Sequence, residues 1–181
     1  KARSTHEIDM LRGPLVKKLM LFALPIALSS ILQQLFNSAD VAVVGQFSTN
    51  QALAAVGCNA PVVSLIITLF TGIAVGANVV IAKYIGKGEK EKINDVIHTV
   101  LVFAFLCGVG IAVAGQFVAQ PLLEAMKTPE DTIDLAVEYI RIYFAGMPFV
   151  MIYNFGSAIL RSKGDTRRPL YCLIFSGIIN V

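Results

Sequence analysis

Residues 52–82 read ALAAVGCNAPVVSLIITLFTGIAVGANVVIA and contain no charged side chain. A helix needs about 20 mostly apolar residues to span the hydrocarbon core of a bilayer. The apolar residues form one long block, without the period of two or 3.6 residues that leaves a face for water. The segment Ala52–Ala82 therefore predicts a transmembrane helix.

Three other segments are long and apolar enough to span a membrane: Leu19–Phe47, Val96–Val118 and Leu135–Leu160. A fifth apolar segment begins at Leu170 and has run for only 12 residues at Val181. Twelve helical residues cover about 18 Å, which is short of the ~30 Å core. We therefore expect an all-α membrane protein with about four and a half transmembrane helices, and we expect the chain to be a fragment that stops inside a helix.

The composition agrees with a membrane protein. Hydrophobic residues make up 56% of the chain, the mean hydropathy is +0.71, and only 15% of residues are charged. A soluble domain carries about 25% charged residues. The net charge of +3 is small, so nucleic acid is not an expected partner, whereas membrane lipid is.

The sequence offers little for catalysis or for a resident metal. It has two histidines, His6 and His98, at or beyond the predicted membrane edges. Its three cysteines, Cys58, Cys107 and Cys172, lie inside apolar blocks, where cysteine behaves as a small buried hydrophobe. No nucleophile–base or metal-ligand pattern is present. We expect no enzyme activity, no cofactor and no bound structural metal.

Basic residues alternate between successive loops. Thirteen lysines and arginines fall on one side of the predicted membrane and one, Lys127, on the other, with Arg141 inside the fourth span. Cytoplasmic loops carry the excess of basic residues, whereas a basic nucleic-acid surface would not alternate in this way. We therefore expect a multi-pass protein of the cell membrane, with residues 1–18 as a cytoplasmic arm and 19–181 as a transmembrane bundle. The thirteen are Lys1, Arg3, Arg12, Lys17, Lys18, Lys83, Lys87, Lys90, Lys92, Arg161, Lys163, Arg167 and Arg168.

Polar residues are concentrated in the outer half of the first span. Gln33, Asn37 and Asp40 follow i, i+4, i+7 spacing and share one helix face. An aspartate at membrane depth costs about 2.5–3.5 kcal/mol on insertion scales and usually faces a cavity or a partner. Asp40 is therefore a candidate proton or cation site, and a desolvated carboxylate holds a proton more readily. The alternative is an interfacial aspartate or an ion pair with Arg141.

Prolines and glycines predict bends and close contacts. Pro25, Pro61 and Pro148 interrupt the first, second and fourth spans, either as hinges or as static kinks. The small-residue pairs Gly72–Gly76 and Gly108–Ala112 predict close helix packing. The deep amides Asn154 and Asn180 either join helices or line a cavity, and Tyr139 is either an interfacial or a cavity residue.

Several segments, in this order and spacing, resemble multidrug and toxic compound extrusion (MATE) transporters, and most closely their bacterial DinF-like branch. The resemblance covers essentially the whole chain. Its segments are NSADVAVVG at 37–45, ALAAVG at 52–57, the glycines at 72 and 76, AKYIGKG at 82–88, SKGDTRRP at 162–169, and Asn180.

The resemblance implies a twelve-helix antiporter of two six-helix bundles, in which this chain is the N-terminal bundle and the C-terminal half is its partner. Such proteins export cationic or amphipathic drug-like compounds in exchange for H⁺ or Na⁺. A cation site in relatives gathers around the position of Asp40, and Gln34, Tyr139, Asn154 and Asn180 match other polar positions of that site. Gln33 and Asn37 supply the supporting polar face. Relatives carry a further acid a few residues beyond Asn180, outside this chain.

Two alternatives remain open at this point. A lipid-linked or polysaccharide flippase of the same superfamily would line its cavity with basic residues for pyrophosphate, and the predicted spans offer only Arg141. A non-transporting membrane scaffold would leave the clustered polar face of the first span without an explanation.

Overall fold

A computed structural model describes residues 15–180, apart from the side chains of residues 15 and 90. Residues 1–14 of the expected cytoplasmic arm, and Val181, lie outside the described residues. The described part of the chain folds into six helices and no strands. They are α1 Leu15–Phe47, α2 Asn50–Lys87, α3 Lys90–Ala125, α4 Ile133–Ala145, α5 Met147–Ser162 and α6 Arg167–Asn180.

Within the described residues, three spans are present by length and composition, or four when one bent helix pair is counted as a span. Helices α1, α2 and α3 are each long and apolar enough to cross a membrane, and α4 with α5 passes the same test as one bent span. The helices extend beyond the predicted apolar segments, so that Lys17 and Lys18 already belong to α1. Hydropathy marks only the part of a helix that meets hydrocarbon, whereas backbone hydrogen bonding continues into the polar boundary. The chain is therefore an all-α multi-pass membrane protein.

The fourth span is broken, as Pro148 predicts. Helices α4 and α5 meet at Gly146 with a bend of 48°. The Gly146 amide still donates to the carbonyls of Ile142 and Tyr143, at 3.2 and 3.1 Å, and Pro148 takes a place in the first turn of α5, where a missing N–H costs little. Helices α1 and α2, in contrast, continue through Pro25 and Pro61 without a break.

Tight turns join α2 to α3 and α5 to α6. Gly88 ends α2 in the left-handed region, at a φ of 75°, a conformation that favours glycine. The Glu89 carboxylate then accepts a hydrogen bond from Lys92, with an N–O distance of 2.6 Å, which lowers the pKa of Glu89 and raises that of Lys92. In the second turn the buried Asp165 caps α6 by accepting from the amides of Arg167 and Arg168, both at 3.1 Å.

Helices α2 to α5 form the buried core, and α1 packs mainly on α6 and more weakly on α2. Gly108 of α3 contacts the backbone of Pro148, which confirms close packing at the Gly108–Ala112 pair. The Gly72–Gly76 pair does not pack closely within the described chain, since no atom would meet a Cβ there within 4 Å. The helical period turns these two glycines away from Asn59 and Ala74, which are buried on the core side of α2.

Candidate ion and substrate site

A cavity of about 720 Å³ lies between α1, α2, α5 and α6. Helices α1 and α5 do not pack directly on each other. Helix α1 contacts α2 and α6 instead. The space left between α1 and α5 is lined by polar as well as apolar side chains. The polar ones are Ser29, Ser30, Gln33, Asn37, Asp40, Thr71, Tyr153, Asn154, Arg161, Ser176 and Asn180.

The shortest side-chain contact in this cavity joins α1 to α6. The Asn180 amide donates to the Asp40 carboxylate, with an Nδ2–Oδ1 distance of 2.7 Å. The two residues are 140 positions apart, and the fold brings them together through Gly177. A Cβ at Gly177 would collide with the Phe36 ring, so glycine lets α6 approach α1 one turn before Asn180. Glycine at 177 thereby positions the amide on the carboxylate.

The polar face expected on the first span lines the cavity. Gln33, Asn37 and Asp40 all border it, as their i, i+4, i+7 spacing predicts. Ser29 and Ser30 extend the same face by one turn, and their hydroxyls donate to the carbonyls one turn earlier in α1, at 2.8 and 3.2 Å. Their oxygens keep acceptor capacity towards the cavity.

Helix α5 contributes Asn154, one of the expected residues, and Tyr153. The Tyr153 hydroxyl donates to the Pro169 carbonyl at 3.3 Å, which ties α5 to the start of α6. Sequence reasoning did not single out Thr71, Ser176 or Arg161 as cavity residues. Thr71 and Ser176 give no charge or motif signal, and Arg161 belongs to a basic cluster whose charge indicates topology.

Two expected site residues do not line this cavity. Gln34 is exposed on a neighbouring face of α1, one helical step from Gln33. Tyr139 lies on α4 and stacks on Tyr143, with ring centroids 6.4 Å apart. Their roles in ion binding stay predictions.

Arg141 is not the partner of Asp40. Its side chain borders a separate cavity of about 490 Å³ together with Glu124, Asp134 and Glu138. Among the residues that the structure describes, no ion pair joins Arg141 to Asp40. Asn180, a neutral amide, takes the place that the ion-pair alternative gave to Arg141.

Around Asp40, the residues that line the cavity combine one carboxylate with neutral hydroxyl and amide groups, while Arg161 is a charged residue elsewhere in its lining. Within residues 15–180, no group of three or more histidine, cysteine, aspartate or glutamate side chains could hold a metal ion. The described residues therefore do not form a site with three or more such ligands for a multivalent metal ion. A carboxylate surrounded by amide and hydroxyl groups can bind a proton. It can also bind a hard monovalent cation, because the neutral oxygens can replace the water molecules of the cation's hydration shell.

Comparisons with known proteins agree on one family. Residues 25–181 match the family described as MatE. The "Probable multidrug resistance protein YoeA" of Bacillus subtilis is 35% identical over 165 residues, which are 91% of this chain and 36% of that protein. The "FAD transporter" of Shewanella oneidensis is 28% identical over 174 residues, 95% of this chain and 38% of that protein.

Solved structures give the same result. A multidrug resistance MATE family transporter of the MOP superfamily, in an outward-facing conformation, matches with a TM-score of 0.87 and 30% identity, over 97% of this chain and 39% of that one. A MOP superfamily transporter from Pyrococcus furiosus, described as having a binding pocket of reverse polarity, matches with the same values. This chain thus spans well under half the length of the relatives it matches. By its sequence and by its fold, the chain belongs to the MatE family.

Proposed function

We propose that the full-length protein is a secondary active multidrug antiporter, which exports cationic or amphipathic compounds in exchange for H⁺ or Na⁺. The observation that carries the proposal is the Asp40–Asn180 hydrogen bond inside a cavity large enough for a drug-sized ligand. Relatives named multidrug resistance proteins support the same substrate class.

Coupling in this proposal is competition for one carboxylate. Asp40 attracts a cationic substrate while it is charged, and it loses that attraction when a proton or Na⁺ neutralises it. Neutralisation also weakens the charge-assisted hydrogen bond from Asn180, so ion binding loosens the contact between α1 and α6. The ion and the drug therefore favour different arrangements of the same helix pair, which is what exchange requires.

The alternatives have less support. A flippase for pyrophosphate-linked lipids needs several cations in its cavity, whereas among the described residues Arg161 alone contributes one to this cavity and Arg141 borders a different one. A non-transporting scaffold does not require a polar cavity of this size within the membrane. The relative named as an FAD transporter favours a second candidate within transport, a substrate that carries phosphate.

Substitution of Asp40 tests the coupling role. Asp40→Asn keeps the shape of the side chain but cannot change charge. We expect gradient-driven efflux in proteoliposomes to fall at least tenfold, while abundance in the membrane is unchanged or higher, because an amide is easier to bury than a carboxylate. Imposing an H⁺ or a Na⁺ gradient separately identifies the coupling ion. Asp40→Glu should keep part of the activity if charge alone is required.

Asp134→Asn is the matched control, because Asp134 borders the other cavity and its neutralisation should leave coupling intact. Normal gradient-driven efflux by Asp40→Asn at normal abundance would exclude Asp40 as the coupling group. Low abundance that is restored by adding Arg141→Gln would instead assign Asp40 a structural role.

A further inference from the structure

Four basic residues lie in or beside the turn between α5 and α6, and Arg161 differs from the other three. Its side chain is partly buried and lines the cavity. Arg168 is exposed and pairs with Asp165, with an Nε–Oδ2 distance of 3.0 Å. Lys163 and Arg167 are exposed and do not line the cavity. Within the described part of the chain, Arg161 forms no ion pair with a carboxylate.

Arg161 and the Asp40–Asn180 pair lie at opposite ends of this cavity. Arg161 is next to the last residue of α5, and α6 begins after the turn at Arg167. Asn180 follows 13 residues later, a rise of about 20 Å along a helix. The cavity therefore has a negative end and a positive end.

A basic residue at the end of a helix has an ordinary explanation, since the helix dipole favours a cation there. That explanation accounts for a charge at this position but not for its location in the cavity. Helical side chains tilt back towards the N-terminus of their helix. In agreement with this, Arg161 lines the same cavity as Tyr153 and Asn154, two turns earlier in α5.

We propose that the Arg161 end of the cavity is a subsite for an anionic group, a phosphate or a carboxylate, separate from the cation site at Asp40. A guanidinium binds either group through two parallel hydrogen bonds. Such a group would offset the cost of leaving a partly buried cation unpaired. The proposal rests on the proposed function insofar as the cavity holds substrate.

Two sources can supply the anionic group: the acid of a zwitterionic substrate, or the phosphodiester of a lipid that enters the cavity. Ciprofloxacin and its methyl ester separate the first source, because they differ by one carboxylate. Nanodiscs of phosphatidylcholine, whose phosphodiester is neutralised by its own choline cation, and nanodiscs with added phosphatidylglycerol, whose phosphodiester keeps a net negative charge, separate the second.

The test measures binding of both compounds to the full-length protein in phosphatidylcholine nanodiscs. Arg161→Gln should weaken ciprofloxacin binding roughly three- to tenfold, the loss of one hydrogen-bonded charge contact in a partly exposed site. Binding of the methyl ester should not change. Arg167→Gln, which removes the same charge from the same turn, should change neither. Arg161→Lys keeps the charge that membrane insertion uses and should also weaken ciprofloxacin selectively, because lysine lacks the planar fork.

The lipid arm uses the same variants. If phosphatidylglycerol occupies the subsite, adding it weakens ciprofloxacin binding to the original protein but not to Arg161→Gln, and less of this lipid copurifies with the variant. The proposal would be overturned if the original protein and both Arg161 variants bound ciprofloxacin with equal affinity and copurified with equal amounts of phosphatidylglycerol. It would also be overturned if Arg161→Gln weakened the binding of ciprofloxacin and of its methyl ester equally. Absent efflux with intact Arg161-dependent binding would refute the antiport proposal and leave the subsite standing.

Discussion

Asp40 and Asn180 show how a single hydrogen bond can link an ion site to the packing of two helices. The amide of α6 reaches the carboxylate of α1 at 2.7 Å, and the neighbouring Gly177–Phe36 contact holds the two helices close enough for this. A change at either residue should therefore affect both the charge state of the site and the docking of α6. The two effects separate only if both residues are changed in one experiment.

A double-mutant cycle with Asp40→Asn and Asn180→Leu provides that experiment. We expect each single variant to lower the thermal stability of the purified protein at pH 7.5, and the double variant to lower it less than the sum. The coupling energy should be about 0.5–1.5 kcal/mol, because the carboxylate is exposed and polar contacts between membrane helices average below 1 kcal/mol. Strictly additive changes in stability would show that the hydrogen bond contributes nothing.

Sequence reasoning succeeded at this scale where a helical period or an isolated charge gave the signal. The face of Gln33, Asn37 and Asp40 follows directly from the period of the first span, and the structure places all three on the cavity. Gln34 shows the limit, because a shift of one residue turns a side chain by about 100° to another face. The location of Arg161 depends on how α5 packs, and no local pattern encodes that.

At the scale of elements, the α3–α5 contact depends on a glycine. A Cβ at Gly108 would lie 2.5 Å from the Pro148 Cα and 3.0 Å from its nitrogen, and both are backbone atoms that cannot rotate away. This contact lies beside the break at Gly146, so the bend of the fourth span and the packing of α3 are fixed together. Because only Gly146 separates α4 from α5, helix α5 has little freedom to move away from α3.

Gly108→Val should therefore destabilise the protein by about 1–3 kcal/mol or more, as expected when a well-packed contact is overfilled. Gly110→Val is the matched control, because it lies on the same helix with nothing within 4 Å of a Cβ. Thermal unfolding of both variants in detergent gives the comparison. Equal melting temperatures for the two variants would contradict the close contact.

The sequence predicted which segments are helices better than it predicted how they pack. Apolar length alone identified the four spans, whereas the three prolines predicted bends in three of them and only the span with Pro148 is broken among the described residues. Pro25 and Pro61 carry the same sequence signal, yet α1 and α2 continue through them. The difference is that Pro148 lies two residues after Gly146, so that two residues that weaken a helix fall within one turn. The Gly72–Gly76 pair faces away from the described core. The spacing of small residues did not predict this, because it does not indicate which face of the helix packs against a neighbour.

At the scale of the whole molecule, the order of helices and turns gives a topology that labelling can test. The basic turns after α2 and α5 should lie in the cytoplasm, and the acidic connection between α3 and α4 outside. Cysteines placed at Lys90, Lys163 or Lys127, after replacement of the native cysteines, should react with an impermeant maleimide in intact cells only at position 127. Labelling at 90 or 163 but not at 127 would reverse the orientation.

The extent of the chain sets the last expectation. It spans 36–39% of the relatives named above, and many of its large apolar side chains are exposed, including Leu65 at 71% and Phe149 at 77%. We expect these 181 residues, expressed alone, to insert into the membrane, because each span carries its own hydropathy and flanking charges. We expect no efflux, because alternating access requires a second bundle against which this one can move. The measurement is membrane abundance together with drug accumulation in a strain that lacks other pumps. The full-length protein is the positive control, and resistance conferred by the 181 residues alone would show that they form a complete transport unit.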